Sequence, residues 1–505
     1  MNASEESIKK IAKGAGIIFL GTFLSKFLTY LFKVITARLG VEDYGILVLA
    51  IAITGAVSVF ITLSLDHGIY RFAAYYKENN QPGKVKGTII YSLLLLIGLS
   101  ILVVLFFFGF SDWIVARFFP NIELERLSLM LKVIAVSIPF LIISKMLNSF
   151  FRSLQKPQYE VYTKNLTEPI VKLGLVVVLF LLGFGIMEMA ISYIIAVAAS
   201  CLIGLILLRK LLADIVGKVK AIPVMKELIS YSVPLLSVAI FFTILTSMDL
   251  LMVGYFKTAS DVGIYNAASA TAQLTYAVSY AILTLFLPVL MGLYVKGKID
   301  EVKSVYQTTT KWILIVNSLL FGLLTLYSRE FLSIMFGKSF AAGAMVLGIL
   351  VFGYSFSFTL YSAQNMLLLL KKSKIVSYNM VIVSLLIIGL NYLFIPLYGL
   401  IGAAFATSLS LCIWGLMLVA ESYYFFKVFP LKANDMKIVF VLASCLLIFY
   451  GLKHIYSISN LISLLVSFSA FGGVYLLLLI AIKYFNTEEI ALFRAFKNKL
   501  FNSFK

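Results

Sequence analysis

Residues Ile11–Leu39 read IAKGAGIIFLGTFLSKFLTYLFKVITARL. The run exceeds the ~20 apolar residues a helix needs to cross a bilayer. Yet Lys26 lies near its middle and Lys33 follows two turns later. Thr22, Lys26, Thr29, Lys33 and Thr36 are spaced four, three, four and three, which puts all five on one helical face. A lysine at mid-bilayer costs roughly 2.5–3.5 kcal/mol on insertion scales. The stripe therefore faces protein or water and is suited to a negative partner. Two blander readings compete: Lys33 could snorkel to an interface, and either lysine could pair with an acid on another helix.

The surrounding chain has the same character. Of 505 residues, 61% are hydrophobic and 13% charged, the balance of a multi-span membrane protein. Cys201, Cys412 and Cys445 lie far apart in apolar runs, so neither disulfides nor zinc is expected. His67 and His454 have no clustered partners, and no metal is expected. The polar start MNASEESIKK precedes a run too long and too charged for a cleaved signal, which reads instead as the first span.

About fourteen apolar runs follow one another, with cores near 12–38, 44–65, 88–110, 128–151, 165–183, 188–208, 231–252, 262–292, 312–326, 344–370, 376–395, 400–424, 438–456 and 461–482. With the N-terminus inside, 30 lysines and arginines fall on inner segments and 7 on outer ones. That bias places both termini in the cytoplasm. It accounts for most of the +19 net charge as topology, so no nucleic-acid partner is expected. The longest outer loops, Ser111–Leu127 and Tyr327–Gly343, are too short to form domains. Arg209–Lys226 and the tail from Asn486 read as basic amphipathic helices at the inner interface, held by membrane lipids.

Two halves repeat at an offset of 214–218 residues. Asp43-Tyr44-Gly45-Ile46 aligns with Asp261-Val262-Gly263-Ile264. Gln155-Lys156-Pro157 aligns with Lys371-Lys372-Ser373, and Gly185-Ile186 with Gly399-Leu400. Six spans separate the equivalents, so the halves have parallel topology, and a site is expected at their interface near the midplane. The fold class read here is an all-α polytopic membrane protein. Its units are a six-helix bundle over 1–208, a cytoplasmic amphipathic linker over 209–230, a second six-helix bundle over 231–424, two extra helices over 425–485 and a basic tail over 486–505.

Several of these motifs resemble a known family. Lys13-Gly14-x-Gly16, Ser25-Lys26, Ala37-Arg38-Leu39-Gly40 and Tyr44-Gly45 are similar to the opening of polysaccharide-biosynthesis membrane proteins, the oligosaccharide-lipid flippases of the multidrug/oligosaccharidyl-lipid/polysaccharide superfamily. Asp249 with Val253-Gly254-Tyr255-Phe256, Val262-Gly263-x-Tyr265, and Ile395-Pro396-Leu397-Tyr398-Gly399-x-x-Gly402-Ala403-Ala404-x-Ala406-Thr407 resemble its later signatures. The resemblance covers spans one to twelve and implies two bundles facing each other in a V, opening alternately to each side.

Candidate binding residues concentrate in the first half. Lys26, Lys33, Thr22 and Thr29 come from the first span. Lys145, Asn148 and Arg152 share a face of the fourth, where Lys145 could also snorkel. Arg71, following Asp66-His67-Gly68, could meet a phosphate or pair with Asp66. Lys172 stands four residues after Glu168 and reads as an ordinary helix pair; Lys132 reads as an interfacial lysine. In the second half, Asn266, Ser269, Gln273, Tyr276 and Tyr280 make a face of hydroxyls, amides and rings suited to sugars, or to helix packing. Asp249 is the one acid deep in that half. It is a candidate carrier of a coupling proton or sodium ion, or a counter-ion to a lysine.

No Walker loop, acid pair or histidine cluster appears, so no enzyme chemistry and no bound cofactor is expected. The expected function is flipping of a lipid-linked oligosaccharide across the cell membrane by alternating access. Glycosyltransferases of the same pathway are candidate partners. A cation-coupled multidrug exporter is the alternative, disfavoured by the lysine stripe. A membrane glycan polymerase or ligase is a third, disfavoured by the lack of a large outer loop.

Overall fold

The computed structural model describes residues 21–216, 219–456 and 458–485. The Lys13-Gly14-x-Gly16 motif and the tail from Asn486 lie outside the described residues. Within them the chain is helical throughout, without a strand. Helix α1 covers 21–37. It is followed by α2 Val41–Thr62, α3 Leu65–Glu78, α4 Pro82–Phe118, α5 Leu124–Ala135 and α6 Ile138–Ser153. A π-helical segment, Val161–Thr167, leads into α7 Glu168–Leu181, and α8 spans Ile186–Val216. The second half comprises α9 Met225–Phe256, α10 Ala259–Ala272, α11 Leu274–Val295, α12 Ile299–Leu326, α13 Ser328–Met335, α14 Ala344–Leu360, α15 Ser362–Leu369 and α16 Ser373–Phe426. Two more, α17 Met436–Ile455 and α18 Leu461–Ala481, close the described chain.

Within the described residues each of the fourteen apolar runs falls on helix, and ten helices there are long and apolar enough to cross a membrane. The protein is a multi-pass membrane protein. Several sequence expectations are corrected. The segment after the second run is not a loop: a left-handed break at Leu63 and Ser64 turns the chain into α3. The outer loop placed at Ser111–Leu127 shrinks, because α4 runs on to Phe118 and α5 begins at Leu124. The second outer loop holds α13 and a 3₁₀ turn, Lys338–Gly343. The ninth run begins at Ile299, its polar first turns carrying the helix beyond the apolar part. Residues 209–216 continue α8 rather than forming a separate amphipathic helix. Ile222 of the linker instead donates its N–H to Gly83 O at 2.9 Å, seating the linker on the start of α4.

The repeat is visible in the backbone. Left-handed residues recur at Asn80 and Gly297, at Gln155 and Lys371, and at Gly183 and Gly399. Gly399 has φ 59°, ψ −135° and breaks α16 into the two apolar runs read from the sequence; a side chain there would be strained.

The repeat also meets itself. A Cβ on Gly45 of α2 would clash with the carbonyl oxygen of Ala259, and one on Gly263 of α10 with that of Val41. Gly45 and Gly263, and likewise Val41 and Ala259, are repeat equivalents, so the contact is self-complementary. Only glycine lets the two backbones approach this closely. Tyr44, fully buried, seals the crossing: its hydroxyl donates to Asn266 Oδ1 at 2.7 Å and its ring packs edge-on to Phe340. Tyr30 of α1 adds a bond to Thr271 Oγ1 at 3.0 Å and an edge contact to Phe336.

Polar contacts sort the loops onto two faces. On one, Arg126 pairs with Asp43 and Glu42, Asn121 donates to Phe256 O, and Lys453 pairs with Glu330. On the other, Tyr76 donates to Glu227 and Lys86 to Val219 O. Burial, and then the bond to Glu227, raise the Tyr76 phenol above its ordinary range, so it stays a donor in this seam. The grouping of loops is the one drawn from the charge count.

The glycine crossing makes a test with an internal control. A Cβ added to Gly55, in the same helix, would meet no atom within 4 Å. Gly55→Ala should raise the melting temperature in detergent, since alanine favours helix by about 1 kcal/mol. Gly45→Ala should lower it, because overpacking costs typically about 1–3 kcal/mol. Equal shifts of the same sign would contradict the crossing.

Candidate functional site

Between the two halves lies a chain of connected compartments. Lys26, Thr29, Lys33, Gln273 and Tyr276 border one of about 100 Å³. Lys33 and Gln273 also border the next, of about 200 Å³, together with Asp249, Tyr265, Asn266 and Ser269. Ile51, Ala52, Thr246 and Ser247 connect it to the largest, about 550 Å³, which reaches Asp66, His67 and Lys145. Asp66 and Lys145 open onto the last, about 170 Å³, bounded by Asn148, Arg152, Glu160 and Lys164.

Most of the sequence candidates are thus gathered on one surface. Thr22 accepts a hydrogen bond from Asn165 Nδ2 at 3.3 Å. Asn148 is buried and accepts from Thr163 Oγ1 at 3.2 Å. Arg152 pairs with Glu160 at 3.4 Å. Asn266 divides its role, accepting from Tyr44 while bordering the compartment of Asp249. Arg71 stands elsewhere. It borders none of these compartments and makes no ion pair with Asp66; its guanidinium lies 4.4 Å from the ring centroid of Tyr231, at the seam of α3 and α9. The Tyr276 ring packs at a tilt against Phe358, centroids 4.5 Å apart. Lys172 pairs with Glu168 at 3.2 Å, and its ammonium packs over Tyr193 and Phe32, the helix pair read from the sequence. Lys132 pairs with Asp112 at 3.3 Å.

The two walls differ chemically. The first half presents a ladder of cations. Lys26 repels Lys33, and Lys164 lies near enough to repel both Lys26 and Lys145. Among the described residues, none of these four lysines forms an ion pair. Asp66 offsets part of this repulsion at Lys145; like charges held together in a membrane protein are otherwise costly unless an anion joins them. Lys164 escapes a reading of the sequence because it looks like a loop cation. It lies in the π-helical segment, whose wider turn rotates its side chain off the 3.6-residue register that spacing rules assume. The flanking Pro157 and Pro169 are the available signal of an irregular helix there.

The second half presents Asp249. Its Oδ2 accepts from the Tyr265 hydroxyl at 2.8 Å, and its Oδ1 from the Leu250 N–H at 2.8 Å. The Tyr265 oxygen also lies 3.3 Å from Thr407 Oγ1. No described cation forms an ion pair with Asp249, so the counter-ion reading has no partner here. In the sequence Tyr265 and Thr407 stand out only as parts of family motifs; their convergence on Asp249 across three helices is a tertiary fact. No cluster of three or more histidine, cysteine or acidic side chains suited to a metal occurs among the described residues.

A membrane-embedded cavity between two repeated helical halves, cationic on one wall and polar on the other, defines a membrane transporter. Residues 11–293 match the family described as "Polysaccharide biosynthesis protein", and the chain belongs to that family. It is 27% identical over 255 residues to the "Probable low-salt glycan biosynthesis flippase Agl15" of Haloferax volcanii, covering 50% of this chain and about half of that protein (52%). It is 22% identical over 501 residues to the "Uncharacterized membrane protein MJ1068" of Methanocaldococcus jannaschii, covering 95% of this chain and 97% of that one. Among solved structures, "Lipid II flippase MurJ, inward closed conformation" superposes with a TM-score of 0.74 at 18% identity, over 93% of this chain and 99% of that chain. An inward-facing multidrug resistance MATE family transporter of the MOP superfamily reaches 0.65 at 13% identity, over 82% of this chain and 98% of that one. The fold is therefore shared with these two transporters.

The Asp249 network predicts an ordered pair of effects. Tyr265→Phe removes the donor to a buried carboxylate and should cost about 1–3 kcal/mol of stability. Asp249→Asn keeps an acceptor for Leu250 and a polar partner for Tyr265, and should cost less. Melting temperatures of the two variants check this; a larger loss for Asp249→Asn would show that the carboxylate charge itself holds the helices.

Proposed function

We propose that the protein flips a lipid-linked oligosaccharide or polysaccharide precursor across the cell membrane by alternating access. The observation that carries this reading is the unpaired cation ladder. Lys145 and Lys164 stand at the broad end of the cavity and Lys26 and Lys33 at its depth, so a phosphate or pyrophosphate can be handed along one wall. The polar groups opposite, among them Asn266, Gln273 and Tyr276, suit a glycan, while the lipid tail stays in the bilayer. The cation bias of the loops supports cytoplasmic termini and entry from the cytoplasm. The moving bodies are the two six-helix bundles, joined by the segment between α8 and α9 and accompanied by the pair over 425–485 and the tail over 486–505. Glycosyltransferases that build the precursor are the natural partners, and the chain itself carries out no covalent chemistry.

Asp249 is the proposed coupling group, its charge exchanged against a proton or sodium ion as the halves rock. A multidrug exporter, the reading favoured by the MATE likeness, would place its acid where a cationic drug binds; the unpaired lysines around the same compartments oppose that.

Lys26→Gln tests the proposal, with fluorescent lipid-linked glycan transport in proteoliposomes and melting temperature measured on one preparation. Removing the charge relieves an insertion penalty, so the variant should melt no lower than the parent. A lost charge-assisted hydrogen bond is worth ~1.5–3 kcal/mol, so transport at limiting substrate should fall about tenfold to a hundredfold. A lower melting temperature with unchanged transport would make Lys26 a structural strut and overturn the proposal.

A further inference from the structure

The outer face is poor in cations, holding Arg38, Arg117, Arg126, Lys257, Arg329, Lys338 and Lys453. They are not spread evenly. Arg126 is taken up by Asp43, Glu42 and Glu123. Three of the others border a single cavity of about 490 Å³, which shares no lining residue with the compartments described above. Arg38, Arg329 and Lys338 border it, with the hydroxyls of Ser333 and Ser459. Glu330 is the one acid on its wall, and Lys453 neutralises it from behind at 2.9 Å while donating to Leu326 O at 2.8 Å. Arg329 and Lys338 are exposed and make no ion pair with any described residue. The cavity therefore carries an uncancelled excess of positive charge on the face that the topology otherwise keeps nearly free of it.

Its construction crosses the two halves. Arg38 follows α1, whereas Arg329 and Lys338 belong to α13 and the 3₁₀ turn after it. Arg38 Nε donates to Met335 O at 2.9 Å, and its Nη2 donates to Ile334 O. The last carbonyls of α13 thus hold the guanidinium at the cavity rim. The same segment supplies Phe336 and Phe340, which pack on Tyr30 and Tyr44 at the glycine crossing. The three cations thus stand together with the halves packed on this face.

We propose that this cavity is an outer anion site that receives the net-anionic phosphate headgroup of a lipid in the adjoining leaflet, and that its occupation holds the outer face closed. Arginine and lysine around a cavity with hydroxyls suit a phosphate monoester or diester. A ligand that binds one of two states better stabilises that state by its differential affinity. The site rests on the transporter reading and on the orientation drawn from the loop charges. Two lipids share the required chemistry: a polyisoprenyl phosphate left by the transported glycan, and an ordinary anionic phospholipid.

The test uses the full-length protein in detergent with polyisoprenyl phosphate, phosphatidylglycerol or phosphatidylcholine added. Arg329→Gln/Lys338→Gln is the informative variant, since neither side chain supports the fold; Lys26→Gln/Lys33→Gln serves in parallel to separate binding in the central cavity. Binding is followed by the shift in melting temperature and by native mass spectrometry. Closure is followed by the distance between spin labels at Glu123→Cys and Lys257→Cys, one on each half. Polyisoprenyl phosphate or phosphatidylglycerol, each with a net negative headgroup, should stabilise the parent and narrow the label distance, and zwitterionic phosphatidylcholine should do neither. Arg329→Gln/Lys338→Gln should bind it about tenfold more weakly and lose the narrowing, while Lys26→Gln/Lys33→Gln should keep the narrowing. A response to polyisoprenyl phosphate alone would make the carrier the ligand; an equal response to phosphatidylglycerol would make it the bulk headgroup. Binding and narrowing unchanged by Arg329→Gln/Lys338→Gln, or a response to phosphatidylcholine equal to that of the anionic lipids, would overturn the site. If Lys26→Gln/Lys33→Gln transports normally while the outer response persists, the central reading fails and the outer site stands.

Discussion

The structure depends on one close approach. Where α2 and α10 begin, two glycines from equivalent positions of a repeated sequence let the backbones touch, and each helix blocks a side chain on the other. Such a contact is made or broken as a unit, because a packed interface has discrete arrangements rather than a continuum. Everything that closes this face is built around it: Tyr44 on Asn266, Tyr30 on Thr271, and the Phe336 and Phe340 rings of the segment after α12. On the other side of the chain of compartments stand Lys145 and Lys164.

The asymmetry between the halves follows from charge rather than shape. Their backbones repeat down to paired left-handed residues, yet the first half carries the lysine ladder and the second carries Asp249 held by Tyr265 and Thr407. Repeated halves around a midplane site are a general plan for transporters; the difference between the walls is what gives this one its chemistry. An anion on the ladder would neutralise the first wall. A cation at Asp249 would neutralise the second. Either event changes the electrostatic cost of bringing the walls together, which gives binding a direct route to the movement of the halves.

Much of this is legible in the sequence, for identifiable reasons. Bilayer-length apolar runs appear directly as helices, and the repeat can be found because Asp43-Tyr44-Gly45 and Asp261-Val262-Gly263 are contact points as well as a pattern. Lys26, Lys33 and Lys145 declare themselves because a charge in an apolar run is expensive. The misses have an equally physical cause. The helix α3 and the segment Ser328–Met335 are polar on one face, so hydropathy assigns them to loops. Lys164 is hidden by a π-helical turn that spacing rules do not contain. Arg71 looks like a phosphate ligand by its neighbours in sequence, but Tyr231, 160 positions away, claims its guanidinium. The gathering of Arg38, Arg329 and Lys338 draws on separate stretches and has no sequence signature.

The central claim is that a phosphate, not merely a sugar or a lipid tail, is what the cavity grips. Two fluorescent lipids with the same glycan and the same tail, one joined through phosphate and one through a neutral ether, decide it in proteoliposomes containing the wild-type protein. The account predicts that the phosphate-linked lipid reaches the opposite leaflet and that the ether-linked lipid neither moves nor competes with it. Equal transport of both would contradict it.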